Sequence, residues 1–263
     1  MCILTEIDDF YKTFGGEKSV IGRSVQGRPI YCFSVRKTAY PVMIFTYSIH
    51  AREYITAYLA LKHVSDFYKY GRFATVHFIP LVNPDGVNIC LTKNPLYKAN
   101  ARGVDLNVNF DANWGSGKSN VFTAGWQNYV GEHPFSEPES KALRDFTLSI
   151  SPDITVSYHS KGQEIYWEFF QDEKTLKKHF VYAKTVSDAT GYPLVTVTDS
   201  AGGYKDWCIQ KLNIPALTIE VGNDQLKHPI GKKFLPQIYK QNKSVVLALS
   251  EKFNEQRVYE KGD

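Results

Sequence analysis

Residues 41–49, PVMIFTYSI, run almost without a polar break and are far too few to span a bilayer. Bounded by polar residues, such a run reads as a β-strand buried on both faces, which demands a packed layer on each side of its sheet. DITVSYHS (153–160) and IPALTIEVG (214–222) have the same character. TVHFIPLVN (75–83) is a fourth apolar run, closing on the turn signal Asn83-Pro84-Asp85-Gly86. SVIGRSVQGRPIYCFSV (19–35) reads as two more strands joined by a Gln-Gly-Arg turn, and EIYWEF (164–169) as another.

Helical spacing appears in ITAYLALKHVSDFYKY (55–70), from about 172 to 190, and in KSVVLALSEKF (243–253). SAGGYKDW (200–207) opens a short helix, and SEPESKALRDFTLSI (136–150) offers Ser136 as N-cap with Glu139 as its capping-box partner. Residues 87–136 are rich in Asn, Gly and aromatics without clear periodicity, and so long a loop in a compact domain is either functional or disordered. Strands alternating with helices predict an α/β fold: a mixed, mostly parallel sheet with helices on both faces, in one domain over residues 1–263.

The charge balance excludes some partners. The formal net charge of +4 arises from 31 basic and 27 acidic residues scattered along the chain, with no block of one sign to bind nucleic acid or a membrane surface. Cys2, Cys32, Cys90 and Cys208 form no CxxC pair and read as reduced thiols. Neither a signal peptide nor a membrane span is visible in the chain as given, so the expected location is cytoplasmic.

In open α/β sheets, ligands gather at the carboxyl ends of the strands. Three strands here end on polar residues with no packing reason to be there: PVMIFTYSI on His50 and Glu53, DITVSY on His159, IPALTI on Glu220. Two histidines and a glutamate are a set that catalytic zinc sites use with the fourth position left open. Singly, each has a plainer reading: a solvated loop pair, a strand-end histidine bonded to a carbonyl, a salt-bridge partner. Arg52, between the first two, either points outward or forms salt bridges that steady their loop.

The order and spacing of SVQGRPI, HAREYITA, VNPDGV, ARGVDLNVNF, SEPES, SYHSKG, AGGYKDW and LTIEVGN resemble, as a set and over nearly the whole chain, the zinc metallocarboxypeptidase family. The resemblance implies a three-layer α/β/α sandwich around a mixed eight-stranded sheet. It implies one zinc ion on His50, Glu53 and His159, with Glu220 as general base. The cation facing the developing oxyanion would be Lys98, nine residues before Asn107, with Arg102 as its rival. Asn107, Tyr204 and Lys205 would meet a peptide substrate.

Two departures from the family pattern bear on that substrate. Typical members read Asn-Arg where this chain has Asn107-Val108, and valine cannot replace a bidentate guanidinium on a terminal carboxylate. Alignment with the family puts Thr198 where many members carry a carboxylate-binding tyrosine, and Lys205 at the specificity position for the residue after the scissile bond, where it would favour an acidic group; its plainer reading is a helix-surface lysine. With the wording YKANARGVDLN and SYHSKGQEIYW, the chain looks most like the bacterial branch that cleaves γ-D-glutamyl-diaminopimelate bonds in peptidoglycan peptides, with soluble muropeptides as substrate. The alternatives are a carboxypeptidase removing C-terminal acidic residues and, from another class, an inactive peptide- or glycan-binding module of the same fold.

Overall fold

The computed structural model describes residues 2–196 and 198–262. Helix α1 (Ile3–Thr13) leads into the hairpin β1 (Glu17–Arg23) and β2 (Pro29–Arg36), then β3 (Val42–Tyr47), α2 (Ile55–Tyr70), β4 (Thr75–Ile79) and α3 (Pro84–Thr92). After a long connection come α4 (Pro138–Ile150), β5 (Ile154–His159), β6 (Glu164–Tyr166), α5 (Glu173–Thr190), β7 (Leu194–Val195), α6 (Tyr204–Leu212), β8 (Ala216–Glu220), α7 (Leu235–Asn242) and α8 (Val245–Gly262).

The strands form one eight-stranded sheet in the order β1-β2-β4-β3-β5-β8-β6-β7. Its centre, β4-β3-β5-β8, is parallel, and the solidly apolar runs are the ones that lie there. The hairpin side and the β8–β6 pair are antiparallel.

Strand alternation divides the core into two layers. Phe33, Met43, Phe45, Val76, Phe78, Val156, Tyr158 and Leu217 face one side, where residues of α1, α2, α5, α7 and α8 cover them. Cys32, Ile44, Ile79 and Ala216 face the other, packed with Leu143 of α4, Trp207, Cys208 and Ile209 of α6, and Phe110 and Phe135 of the connection. Burial of each such large apolar side chain is worth about 1.5–3 kcal/mol, so both layers contribute. Three-layer α/β architecture is therefore as the sequence predicts. All four cysteines are free, and among the described residues no helix is long and apolar enough to cross a membrane.

Two local expectations are corrected. Asn83-Pro84-Asp85-Gly86 is the start of α3, not a turn: the Asn83 side chain accepts a hydrogen bond from Gly86 N, and Pro84 occupies the first turn. Helix α4 begins one residue later than a Ser136 cap would set it, with Glu137 as N-cap and Pro138 inside the first turn. Ser136 instead donates from Oγ to Glu137 Oε1. Helices α1 and α7 were not foreseen; α1 contributes Ile3 and Ile7 to the core, and α7 contributes Leu235 and Ile238.

Candidate metal centre

Strand β3 ends at Tyr47, and the chain turns at Ser48, whose φ of 50° lies in the left-handed region. Ser48 N donates to Thr56 Oγ1 at 3.0 Å, which ties this turn to the first turn of α2. His50 then caps a 3-10 turn spanning Ala51–Glu53, and Ala51 N donates to Lys98 O at 3.0 Å. The three-residue spacing of that turn swings His50 and Glu53 to the same side: His50 Nδ1 is 2.9 Å from Glu53 Oε1.

His159 ends β5, where it pairs in register with Glu220 at the end of β8. Both project to the sheet face that α4 and α6 cover, because Tyr158 and Ile219 occupy the opposite one. His159 Nδ1 lies 3.0 Å from Glu53 Oε2 and 3.1 Å from His50 Nδ1. All three side chains are buried, and their donor atoms lie within 4.8 Å of one another.

This donor set fits a metal ion. Both Nδ1 atoms face Glu53 and each other, so protons on both would repel across 3.1 Å. A cation in place of those protons removes the conflict. Around tetrahedral zinc, with bonds of about 2.0–2.2 Å, adjacent donors sit about 3.3 Å apart, close to the spacing seen here.

Asp105 completes the cluster from the long connection. Its Oδ1 is 3.2 Å from His50 Nε2, at an orientation outside hydrogen-bond geometry, and its Oδ2 is 2.8 Å from Lys98 Nζ. Backbone N–H groups of Asn107 and Asn128 donate to the two oxygens. An orienting carboxylate behind a metal-binding imidazole is a recurrent second layer. Burial raises the Asp105 pKa, but the charges of Lys98 and His50 outweigh it and hold the carboxyl below its ordinary range. Burial likewise opposes ionisation of Glu53, and the two imidazoles reverse that effect to hold it well below. Glu220 goes the other way, pushed well above the ordinary carboxylate value by burial first and then by the charges of Glu53 and Glu164.

These groups open onto a cavity of about 250 Å³ lined by His50, Lys98, Asn107, Val108, His159, Tyr166, Ser200, Gly203, Lys205, Asp206, Thr218 and Glu220. Of the residues singled out from sequence, Lys98, Asn107, Lys205 and Glu220 therefore share one space with the two histidines. Arg102 does not: its side chain is 57% exposed, against 16% for Lys98, and its nearest acid is Glu137 at 3.8 Å. Nor does the Tyr204 ring, which is fully buried with its hydroxyl 2.8 Å from Thr147 Oγ1. Thr198 is exposed. Arg52 Nη1 reaches Gln127 Oε1 at 3.5 Å, while its Nε is buried without a partner.

Tyr166, Asp206 and Asp105 were not singled out from sequence. The signal for Tyr166 was present, since the two-residue spacing in EIY puts Glu164 and Tyr166 on one face of β6, opposite Glu220 and Thr218 of β8. Gly202, at φ 84°, and Gly203 let the start of α6 lie against the 107–108 backbone; a Cβ on Gly202 would meet Val108 O at 3.0 Å. Asn107 Oδ1 in turn accepts from Tyr204 N.

Comparison with known proteins follows the same lines. The family model described as zinc carboxypeptidase matches residues 16–244. Gamma-D-glutamyl-L-diamino acid endopeptidase 1 of Lysinibacillus sphaericus is 30% identical over 87% of this chain, and the chain covers 65% of that relative, just under two thirds of its length. Among solved structures, bovine thrombin-activatable fibrinolysis inhibitor, in complex with tick carboxypeptidase inhibitor, superposes with a TM-score of 0.79 at 23% identity, covering 98% of this chain and 95% of its own. The murein-tripeptide amidase of Escherichia coli O157 superposes with a TM-score of 0.65 at 26% identity, over 89% of this chain and 92% of its own.

Proposed function

This chain belongs to the zinc carboxypeptidase family, and we propose that it hydrolyses the γ-D-glutamyl-meso-diaminopimelate amide bond of peptidoglycan-derived peptides as a single catalytic domain. That it is a metallopeptidase follows from the family. The finer reading is carried by the composition of the cleft: its cations are Lys98 and Lys205, no arginine lines it among the described residues, and Val108 follows Asn107. A clamp for an ordinary peptide's terminal carboxylate would need a planar, bidentate donor at that place. The names of two relatives, one a γ-D-glutamyl-diamino acid endopeptidase and one a murein-tripeptide amidase, point the same way.

In this reading His50, Glu53 and His159 hold one zinc ion. When bound, the ion supplies Lewis acidity, polarising a scissile carbonyl and making water a competent nucleophile near neutral pH. Glu220 accepts the proton of the attacking water and returns it to the leaving amine. Lys98 is ion-paired with Asp105, donates to Asn128 Oδ1 and lines the cleft, so it, and not the exposed Arg102, stabilises the developing oxyanion. Asn107 is fixed through Oδ1 and keeps its amide N–H groups for the substrate.

The test is incubation of zinc-loaded protein with L-Ala-γ-D-Glu-meso-diaminopimelate. Release of free diaminopimelate is expected. An inert tripeptide beside rapid trimming of a peptide ending in glutamate, with that trimming abolished by C-terminal amidation, would instead establish an acidic-residue carboxypeptidase.

A further inference from the structure

Lys205 is not a bare cation waiting for an acidic group. Its Nζ donates to Asp206 Oδ1 at 2.6 Å and to Glu168 O at 2.9 Å, and it lies 5.4 Å from the centre of the Phe169 ring. Both side chains of the pair are nearly buried, 12% and 7% exposed, and both line the cleft. The other Asp206 oxygen accepts from Gly203 N at 3.0 Å and caps α6.

This pairing limits what the subsite can accept. A substrate group carrying only a carboxylate could take the third Lys205 hydrogen, but it would then share one cation with Asp206, leaving two carboxylates on a single positive charge in a nearly buried site, which is unfavourable. A group carrying only an ammonium would likewise set two cations on the one Asp206 carboxylate. A group carrying both restores two pairs, carboxylate to Lys205 and ammonium to Asp206. The cleft adds a further acceptor on β6: the Tyr166 hydroxyl donates to Glu164 Oε1, so its oxygen is left to accept.

We propose that the Lys205–Asp206 pair reads a zwitterionic head group, an ammonium and a carboxylate on one carbon at the far end of the substrate side chain. The proposal rests on the peptidase reading above for which side of the scissile bond the subsite serves. It goes further in making Asp206 as decisive for specificity as Lys205. It also sets the preferred leaving group apart both from glutamate, which lacks the distal ammonium, and from lysine, which lacks the distal carboxylate.

Binding separates this inference from the reaction. Zinc-loaded protein is titrated calorimetrically with free meso-diaminopimelate, with 2-aminopimelate, which lacks the distal amine, and with lysine; the three tripeptides L-Ala-γ-D-Glu-X are assayed in parallel. Diaminopimelate is expected to bind about ten-fold or more tighter than either analogue. Asp206→Asn, whose Oδ1 can still cap α6, is expected to abolish the preference over 2-aminopimelate, and Lys205→Met the preference over lysine. Equal binding of diaminopimelate and 2-aminopimelate by the wild type overturns the proposal, as does a preference that survives Asp206→Asn. Selective binding of diaminopimelate without cleavage of any tripeptide supports the zwitterion site and overturns the peptidase reading alone.

Discussion

At the scale of single residues, polar groups in this protein draw their meaning from partners far away in the chain. His50 and Glu53 were ambiguous by themselves; His159, from another strand, supplies the contact that makes them a donor set. Asp105 was harder to read, because its work is done through His50 and Lys98 and no local pattern marks a residue that orients others. Asp105→Asn is expected to weaken zinc binding about 10- to 100-fold in chelator competition; unchanged affinity would remove Asp105 from the metal centre. Away from the cleft, buried Glu139 accepts from Val25 N and Asn100 Nδ2, and burial raises its pKa from 4.5 to about 7. The folded state therefore holds a proton that the unfolded state has released, and this group lowers stability as pH rises from about 4.5 to 7, by up to about 3 kcal/mol. Buried His63, His77 and His179 act in the opposite sense, pushed by burial down to about 3, 4 and 4. Their neutral forms favour the fold above the unfolded pKa near 6.5, and that stability is lost on acidification below it. The histidine contribution cancels when wild type and Glu139→Gln are compared by urea unfolding at pH 5 and pH 8. The difference between the two proteins should shift in favour of the variant at the higher pH, and a pH-independent difference would contradict the assignment.

At the scale of elements, the strands and the long helix α2 were legible because apolar periodicity records two-sided or one-sided burial directly. Helix α3 was not, since Asn83-Pro84-Asp85-Gly86 is compatible with a turn until tertiary contacts choose. Those contacts are visible: Asn83 Nδ2 donates to Ile49 O and Ala99 O, and a Cβ on Gly86 would fall 2.3 Å from Ala99 O. Asn83 thus joins the turn after β3, one residue before His50, to α3 and to the segment carrying Lys98. Asn83→Ala removes a helix cap and leaves two buried carbonyls short of a donor, and a loss of about 2–4 kcal/mol in urea unfolding is expected. A loss below 1 kcal/mol would mean that the cap, and not the junction, is what Asn83 contributes. Similarly, Ser136 had the right chemistry for a cap but was displaced by one residue, because Pro138 takes the first turn of α4.

At the scale of the whole molecule, the parallel centre of the sheet brings the carboxyl ends of β3, β5 and β8 to one edge, and that is how residues 50, 53, 159 and 220 meet. The family resemblance anticipated this gathering; the cleft's electrostatic detail, in which Lys205 is matched by Asp206 and Tyr166 by Glu164, depends on side-chain placement that sequence spacing does not encode. A metal held between the turn after β3 and the end of β5 would also link stability to occupancy: zinc at about 100 times its Kd should add about 2.7 kcal/mol. A chelator should therefore lower Tm, and a Tm indifferent to zinc would place the ion elsewhere. The most direct test of the account pairs wild type with Glu220→Gln on L-Ala-γ-D-Glu-meso-diaminopimelate, measuring zinc content and release of diaminopimelate together. About one zinc per chain is expected in both proteins, with release by the wild type and a loss of about 1,000-fold or more in the variant. A variant that keeps its turnover, or a zinc-loaded wild type that leaves the peptide intact, would contradict it.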